Sequence, residues 1–203
     1  MRRTHPDLPW CRYADDGLVH CRSEQEALAL KAKLQARLAE CQLELHPTKT
    51  KIVYCKNWAR ARKYPNIQFE FLGYCFRPRL VRSAGGKLFC GFNPAVSSSA
   101  MRAMRDTVRQ LNIRGQTQRS LNGIATLLNP ILRGWIEYYG RFIPSALSPV
   151  LRYVNQALVA WAMRKFKRFK RHKTRASLFF QRLVTECPGL FAHWKVGMIG
   201  SFI

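Results

Sequence analysis

The spacing of apolar and polar positions divides the chain into two kinds of segment. Up to about residue 92, short apolar runs are separated by Gly, Pro and Asp residues, which is typical of strands joined by tight turns. From Pro94 onward, apolar residues recur every three or four positions, which predicts amphipathic helices. We therefore predict an α+β fold, with a mixed domain over residues 1–93 and an all-helical domain over residues 94–203.

The mixed domain is predicted to run strand, turn, strand, helix, strand. The first hairpin has its tip at residues 13–16, because Asp15, Asp16 and Gly17 supply tight-turn conformations. A helix follows, since Ser23 and Glu26 fit a capping box and leucines then recur every four residues. A short strand is predicted at 43–45 and a turn at 46–49, followed by the run 50–54. Hairpins are predicted at 69–76, bending at residue 73, and at 79–92 around residues 84–86.

Three apolar stripes define the predicted helices of the second domain, and their spacing is typical of core packing. They are Met101, Met104, Val108 and Leu111; Leu121, Ile124, Leu128 and Ile131, continuing into Trp135 and Tyr139; and Val150, Val154, Leu158 and Trp161.

The net charge of the chain indicates what kind of partner it binds. The formal net charge is +24, and residues 71–203 carry 22 basic against 3 acidic side chains. Such an excess indicates a polyanionic partner, either nucleic acid or an anionic membrane. No apolar run approaches the length that spans a bilayer, so we expect nucleic acid and no membrane. The N-terminus lacks an apolar signal core and the seven cysteines are scattered, so a cytoplasmic location is expected.

The densest basic segment lies at residues 164–175. A charged run is usually a solvated face, but this run has almost no acidic neighbours, which favours phosphate binding. Phe166 and Phe169 are spaced to anchor a helix while the cations face outward.

Asp15 and Asp16 are the main candidates for chemistry. Adjacent carboxylates on a rigid hairpin repel each other unless a cation lies between them, and hard oxygen ligands suit Mg²⁺. Phosphoryl transfer is the reaction class that most needs such a metal. The alternative is an ordinary solvated Asp-Asp-Gly turn.

The order of motifs resembles the C-terminal half of a group II intron-encoded reverse transcriptase/maturase, a mobile-element protein, over essentially the whole chain. The motifs are Arg12-Tyr13-Ala14-Asp15-Asp16, His46-Pro47-Thr48-Lys49-Thr50, Phe71-Leu72-Gly73-Tyr74, and residues 128–135 (LNPILRGW) with 138–142 (YYGRF). The resemblance implies a truncated polymerase palm of antiparallel hairpins plus a helix, followed by a helical thumb or maturase-specific domain X. It also implies RNA-directed DNA polymerase ancestry, a role in RNA splicing, and intron RNA and template-primer as partners.

Roles in the palm follow from the resemblance residue by residue. Asp15 and Asp16 match the catalytic carboxylates that bind Mg²⁺ for nucleotidyl transfer. Tyr13 and Ala14 would lie beneath the primer end and the incoming nucleotide. Lys49 matches a lysine near the nucleotide phosphates, although an exposed turn lysine is an equal alternative.

The primer grip and the helical domain are matched in the same way. Leu72, Gly73 and Tyr74 match the primer grip, and an ordinary apolar hairpin is the alternative. RNA binding in the helical domain is assigned to cations and aromatics, with Trp135 and one tyrosine expected to be packing residues. The assigned residues are Arg133, Tyr138, Tyr139, Arg141, Arg164, Lys165, Lys167, Arg168, Lys170, Arg171, Lys173 and Arg175.

The resemblance is incomplete before the Asp-Asp hairpin. The fingers and a further palm carboxylate would precede it, and only residues 1–10 do so here. We therefore expect no polymerase activity from this chain alone, unless an N-terminal reverse transcriptase fragment supplies them. Two other readings stay open, a non-catalytic splicing factor and a remnant of a degraded or split intron reading frame. A dimer through the exposed palm edge is a further open reading.

Overall fold

The computed structural model describes residues 7–56, 63–83, 85–197 and 202. Part of the basic connection between the first helix and the second hairpin, and Ala84 in the third predicted turn, lie outside these residues. The elements are β1 Trp10–Tyr13, β2 Asp16–Val19, α1 Glu24–Glu40, β3 Phe69–Phe71, β4 Tyr74–Arg82, β5 Leu88–Val96, α2 Ser98–Gln110, α3 Leu121–Tyr139, α4 Ser148–Lys165, α5 Lys173–Glu186 and α6 Ala192–Lys195. The predicted α+β class is confirmed.

The chain divides into two compact units, one of residues 1–71 and 77–92, the other of residues 72–76 and 93–203. The turn between β3 and β4 thus belongs to the helical unit, although it lies twenty residues before the rest of it in the chain. Within the described ranges, every helix is too short or too polar to cross a lipid bilayer.

The first hairpin forms where the sequence predicts it. β1 pairs antiparallel with β2 in the register Trp10 with Val19 through Tyr13 with Asp16, which leaves Ala14 and Asp15 as the two loop residues. Ala14 has a φ of 51°, in the left-handed region that costs an L-residue energy. The Arg12 Nε donates to the Ala14 carbonyl at 2.7 Å. This bond holds the loop in its strained conformation.

The start of α1 is a variant of the predicted capping box. Ser23 Oγ accepts from the Glu26 N–H at 3.1 Å, as expected. The Glu26 carboxylate, however, accepts from the Arg22 N–H at 2.6 Å rather than from that of Ser23. Both bonds satisfy backbone donors at the helix N-terminus, so the predicted start is confirmed.

The end of α1 explains why the predicted strand at 43–45 is wrong. Gln42 adopts a φ of 56°, and the Leu43 N–H donates back to the Leu38 carbonyl at 2.9 Å. The Gln42 N–H donates to Ala39, which completes a Schellman motif. Leu43 is therefore committed to closing the helix and forms no strand ladder. The predicted turn at 46–49 is present, with the Thr50 N–H donating to the His46 carbonyl at 3.0 Å.

The remaining strands form a three-stranded sheet in the order β3-β4-β5. The two residues between β3 and β4 are Leu72 and Gly73, with φ values of 51° and 74°. Two consecutive positive φ angles are the requirement of a tight hairpin turn, and they confirm the predicted bend at residue 73. β4 and β5 are longer than predicted, because β4 starts directly after this turn at Tyr74 and β5 continues to Val96.

The helical unit is organised around α4. Its predicted stripe of Val150, Val154, Leu158 and Trp161 is fully buried, with 0% exposure at each position. The stripes of α2 and α3 pack into the same core, through Met104 and Val108 and through Ile124 and Leu128. All three predicted stripes thus contribute to the core, although Ile131 is only partly buried.

Polar groups also lie within this core. Asn155 on α4 accepts through Oδ1 from His193 Nε2 at 2.8 Å and from Trp194 Nε1 at 3.2 Å. His193 is fully buried, and burial lowers its pKa to about 3. The imidazole is therefore neutral at physiological pH, and it carries its proton on Nε2 because Asn155 offers an acceptor there.

Candidate functional site

Asp15 and Asp16 lie at the exposed tip of the first hairpin. Asp16 begins β2 opposite Tyr13, and Asp15 is in the loop, so the backbone geometry of the tip is fixed by the ladder and by the Arg12 bond to Ala14. Tyr13 is 64% exposed. No group of three or more His, Cys, Asp or Glu side chains that could share a metal ion is found among the described residues. Carboxylate oxygens are ligands that suit Mg²⁺, so the donor chemistry of the tip fits that metal, and the role of the pair stays a prediction.

Lys49 lies in the turn after α1, with its side chain exposed. Its N–H and that of Thr48 both approach the His46 Nδ1 at 3.4 Å. Its ammonium forms no ion pair with Asp15 or Asp16 in the described structure, so the carboxylates and the lysine are not brought into direct contact. The role of Lys49 stays a prediction.

The turn predicted to be the primer grip is held by the helical unit. Tyr138 at the end of α3 donates from its hydroxyl to the Leu72 carbonyl at 3.0 Å, and the Ser97 N–H donates to the Gly73 carbonyl at 2.9 Å. In return, the Tyr74 hydroxyl donates to the Tyr138 carbonyl. Three hydrogen bonds thus fix three consecutive residues of the turn.

Aromatic packing reinforces these hydrogen bonds. The Tyr74 ring is 7% exposed, and its centroid lies 5.3 Å from that of Tyr138 and 5.4 Å from those of Tyr139 and Phe142. We call these four residues the aromatic socket. Burial raises the pKa of the Tyr74 and Tyr139 hydroxyls above the ordinary value. Tyr74 is therefore a buried anchor of the turn, and Leu72, 37% exposed, is its most accessible side chain.

Gly73 lies so close to the socket that an added side chain would displace the Tyr139 ring. A Cβ built on Gly73 would lie 2.5 Å from the Tyr139 hydroxyl oxygen and 3.2 Å from its Cε1. Glycine is required at this position both for this approach and for the positive φ.

The remaining predicted residues of α3 and its end divide into packing and surface. Trp135 and Tyr139 are partly buried and pack on the core, as expected for Trp135 and one tyrosine. Arg133 and Arg141 are exposed, and Tyr138 keeps 47% of its surface exposed despite its bonds to the turn. The exposed members are thus available to a ligand.

The basic segment 164–175 is the connection between α4 and α5 and is not one continuous helix. Phe166 takes an extended conformation that ends α4, a short 3₁₀ turn spans Lys167–Phe169, and Arg171 adopts a φ of 64°. Phe169 is buried and Phe166 packs on the core. The prediction that the phenylalanines anchor the segment is confirmed, while the helix assumed for it is wrong because the chain must turn to return along α4.

Lys165 differs from the other predicted cations of this segment. Its Nζ donates to the Thr117 and Arg119 carbonyls, at 2.7 Å each, and lies 5.5 Å from the Trp161 ring centroid. This amine ties the loop before α3 to the end of α4. Two of its three N–H groups are used in these bonds, so its assignment as an RNA-binding residue stays a prediction.

Arg168 stacks on three rings. Its Cζ lies 4.6 Å from the Phe169 ring centroid, 5.6 Å from that of Phe179 and 5.7 Å from that of Phe166. The guanidinium is therefore held against an aromatic surface while the residue stays exposed. The other assigned cations, Arg164, Lys167, Lys170, Arg171, Lys173 and Arg175, are exposed.

Asn129 lies in the motif at residues 128–135, and the sequence alone predicts no role for it. Its amide donates from Nδ2 to the Leu190 carbonyl at 3.0 Å and accepts through Oδ1 from the Ala192 N–H at 2.8 Å. It closes the loop between α5 and α6 onto α3. Its partners lie 61 and 63 positions away in the chain, so no local signal in the sequence marks this role.

Comparisons with known proteins agree with these two parts. Residues 1–76 match the family model described as reverse transcriptase (RNA-dependent DNA polymerase), and residues 101–179 match the model described as group II intron, maturase-specific domain. No curated protein matches the chain. The two matches lie in the order that the motifs predict and together cover more than half of the chain. The chain therefore belongs to the group II intron reverse transcriptase/maturase family.

Proposed function

We propose that the helical unit of this chain binds group II intron RNA as a maturase. The observation that carries the proposal is the α4–α5 connection, where six exposed cations and the stacked Arg168 lie on a surface with almost no acidic side chain. Residues 93–203 contain only Asp106, Glu137 and Glu186, and Asp106 is paired with Arg109. Cations without acidic partners are free to pair with phosphates.

We propose further that Asp15 and Asp16 are the metal-binding carboxylates of RNA-directed DNA synthesis. A bound Mg²⁺ supplies charge neutralisation for the transferred phosphoryl group. The chain contributes the oxygen ligands on a rigid hairpin and the exposed ring of Tyr13 beside them. Lys49 is proposed to face the phosphates of the incoming nucleotide.

Polymerase activity is proposed to require more than these 203 residues. The two-metal reaction uses carboxylates from more than one palm strand, and the hairpin provides an adjacent pair from one. An N-terminal reverse transcriptase fragment is the proposed source of the missing ligand. A dimer through the exposed palm edge is a separate proposal, and the oligomeric state of the chain in solution tests it.

The test of RNA binding is a salt titration with purified chain and a short single-stranded RNA. Each phosphate contact contributes roughly 0.7 to the slope of log affinity against log salt. We expect the triple variant Lys167→Gln/Lys170→Gln/Lys173→Gln to reduce the slope by about two. The matched control removes three exposed lysines of the other unit, Lys33→Gln/Lys51→Gln/Lys63→Gln. Equal losses in both variants would show that binding follows net charge alone and would refute a dedicated surface.

The test of catalysis is primer extension on an RNA template with Mg²⁺, beside Asp15→Asn/Asp16→Asn. We expect no extension from the chain alone, and unchanged RNA binding by the variant. Extension that disappears in the variant would show that the remaining ligand is present after all. Binding without extension favours the splicing-factor reading over the polymerase reading.

A further inference from the structure

A cavity of about 280 Å³ opens in the helical unit between the loop before α3 and the α4–α5 connection. Its lining includes Gln118, Ser120, Trp161, Lys165, Phe166 and Phe179. We propose that this cavity receives one unpaired nucleobase of the bound RNA, a proposal that rests on the RNA binding proposed above.

The walls of the cavity are suited to a flat aromatic ligand. Phe166 and Phe179 are both partly buried, so each keeps part of its ring surface open. Trp161 forms the floor, since it is fully buried and its Nε1 donates to the Gln116 carbonyl at 3.0 Å. Stacking on such rings is the usual way in which proteins hold unpaired bases.

Polar groups at the rim match the edge of a base. The Gln118 amide is exposed and makes no hydrogen bond to another described residue. The Ser120 Oγ accepts from the Gly123 N–H at 3.1 Å, which leaves its own hydroxyl hydrogen to donate. A base edge presents both donors and acceptors, so these two side chains supply complementary partners.

The surrounding charge selects a nucleotide over a neutral ring. The Arg168 guanidinium lies over both Phe166 and Phe179, and exposed Arg164 and Arg119 lie close in the chain to Lys165 and Ser120. A ligand that joins an aromatic ring to a phosphate satisfies rings and cations together. A base-paired duplex does not fit, because its base faces are already covered by neighbouring pairs. The volume is also small, at the lower end of ligand sites, and suits a single ring system.

The test compares two strands of equal charge on the full chain. One is a short phosphodiester strand of abasic sugars, and the other carries a single central adenosine. We expect the wild-type chain to bind the adenosine strand roughly tenfold more tightly, the effect of one stacked base. Phe179→Leu keeps an apolar side chain but removes the ring, and it should bring the ratio close to one. Leu178→Ala, an exposed neighbour on the same helix, should keep the tenfold preference.

Each outcome separates this proposal from the broader one. Equal affinity of the wild-type chain for both strands overturns the cavity proposal, whether or not the variant folds. A preference that survives Phe179→Leu in a chain with a wild-type circular dichroism spectrum also overturns it. Salt-insensitive or undetectable binding of both strands and of RNA refutes the proposed function itself. Arg168→Lys keeps the charge without the planar group, so it should weaken the adenosine preference.

Discussion

The close approach of Gly73 to Tyr139 gives the sharpest prediction about stability. In Gly73→Ala the new methyl group would lie 2.5 Å from the Tyr139 hydroxyl oxygen, at a φ of 74°. The left-handed conformation costs an alanine about 1–2 kcal/mol, and overpacking costs about 1–3 kcal/mol more. We therefore expect the free energy of unfolding to fall by about 2–5 kcal/mol.

A double-mutant cycle separates the two contributions. Tyr139→Phe removes the nearest atom, so Gly73→Ala should cost less in that background, by about 1 kcal/mol or more. Gly86→Ala is the matched control for backbone strain, because Gly86 has a φ of 80° with nothing within 4 Å of an added Cβ. The assay is urea unfolding followed by circular dichroism. If Gly73→Ala costs no more than Gly86→Ala, or if the cycle shows no coupling, the close contact does not constrain this turn.

Three other side chains give predictions of the same kind. Lys165→Met should lower the free energy of unfolding by about 1–3 kcal/mol. It should also reduce the salt slope of RNA binding less than Lys167→Met does. A larger reduction by Lys165→Met would instead support Lys165 as an RNA-binding residue. Asn129→Leu leaves the Leu190 carbonyl and the Ala192 N–H unpaired, so chemical unfolding should show a loss of about 2 kcal/mol, and an unchanged midpoint would contradict its role in closing the loop. Burial lowers the pKa of His193 to about 3, so between that value and about 6.5 the unfolded chain binds the extra proton. The free energy of unfolding should therefore fall by about 1.4 kcal/mol per pH unit as the pH drops from about 6.5 towards 3. His193→Gln should remove this dependence. Equal pH profiles for both chains would contradict a lowered pKa of His193 in the folded chain.

The sequence predicts best where the deciding interactions are local. Asp15 and Gly73 mark two hairpin tips, and Ser23 with Glu26 marks the start of α1, because each acts within four residues. The apolar stripes identify the core helices for the same reason. The strand predicted at residues 43–45 is wrong even though the deciding contacts are local, since a Schellman ending and a short strand both place a leucine after a helix.

The site was harder to predict because its contacts are distant in the chain. Tyr74 and Tyr138 are 64 positions apart, and Lys165 reaches carbonyls 48 and 46 positions before it. Neither pairing leaves a periodic signal. A lysine within a basic run therefore resembles its exposed neighbours in sequence, although its amine is engaged by the backbone.

The aromatic socket has a practical consequence for dissecting the protein. A fragment cut at residue 94, where the helices begin in sequence, would lack the Leu72–Phe76 segment that belongs to the helical unit. Tyr138 would lose the carbonyl that accepts its hydroxyl, and the rings of Tyr139 and Phe142 would lose the partner that covers them. An exposed aromatic surface of this kind favours self-association. A separable maturase module is thus better made by keeping the β3–β4 turn, for instance by starting the fragment before Phe69, than by cutting where the helices begin.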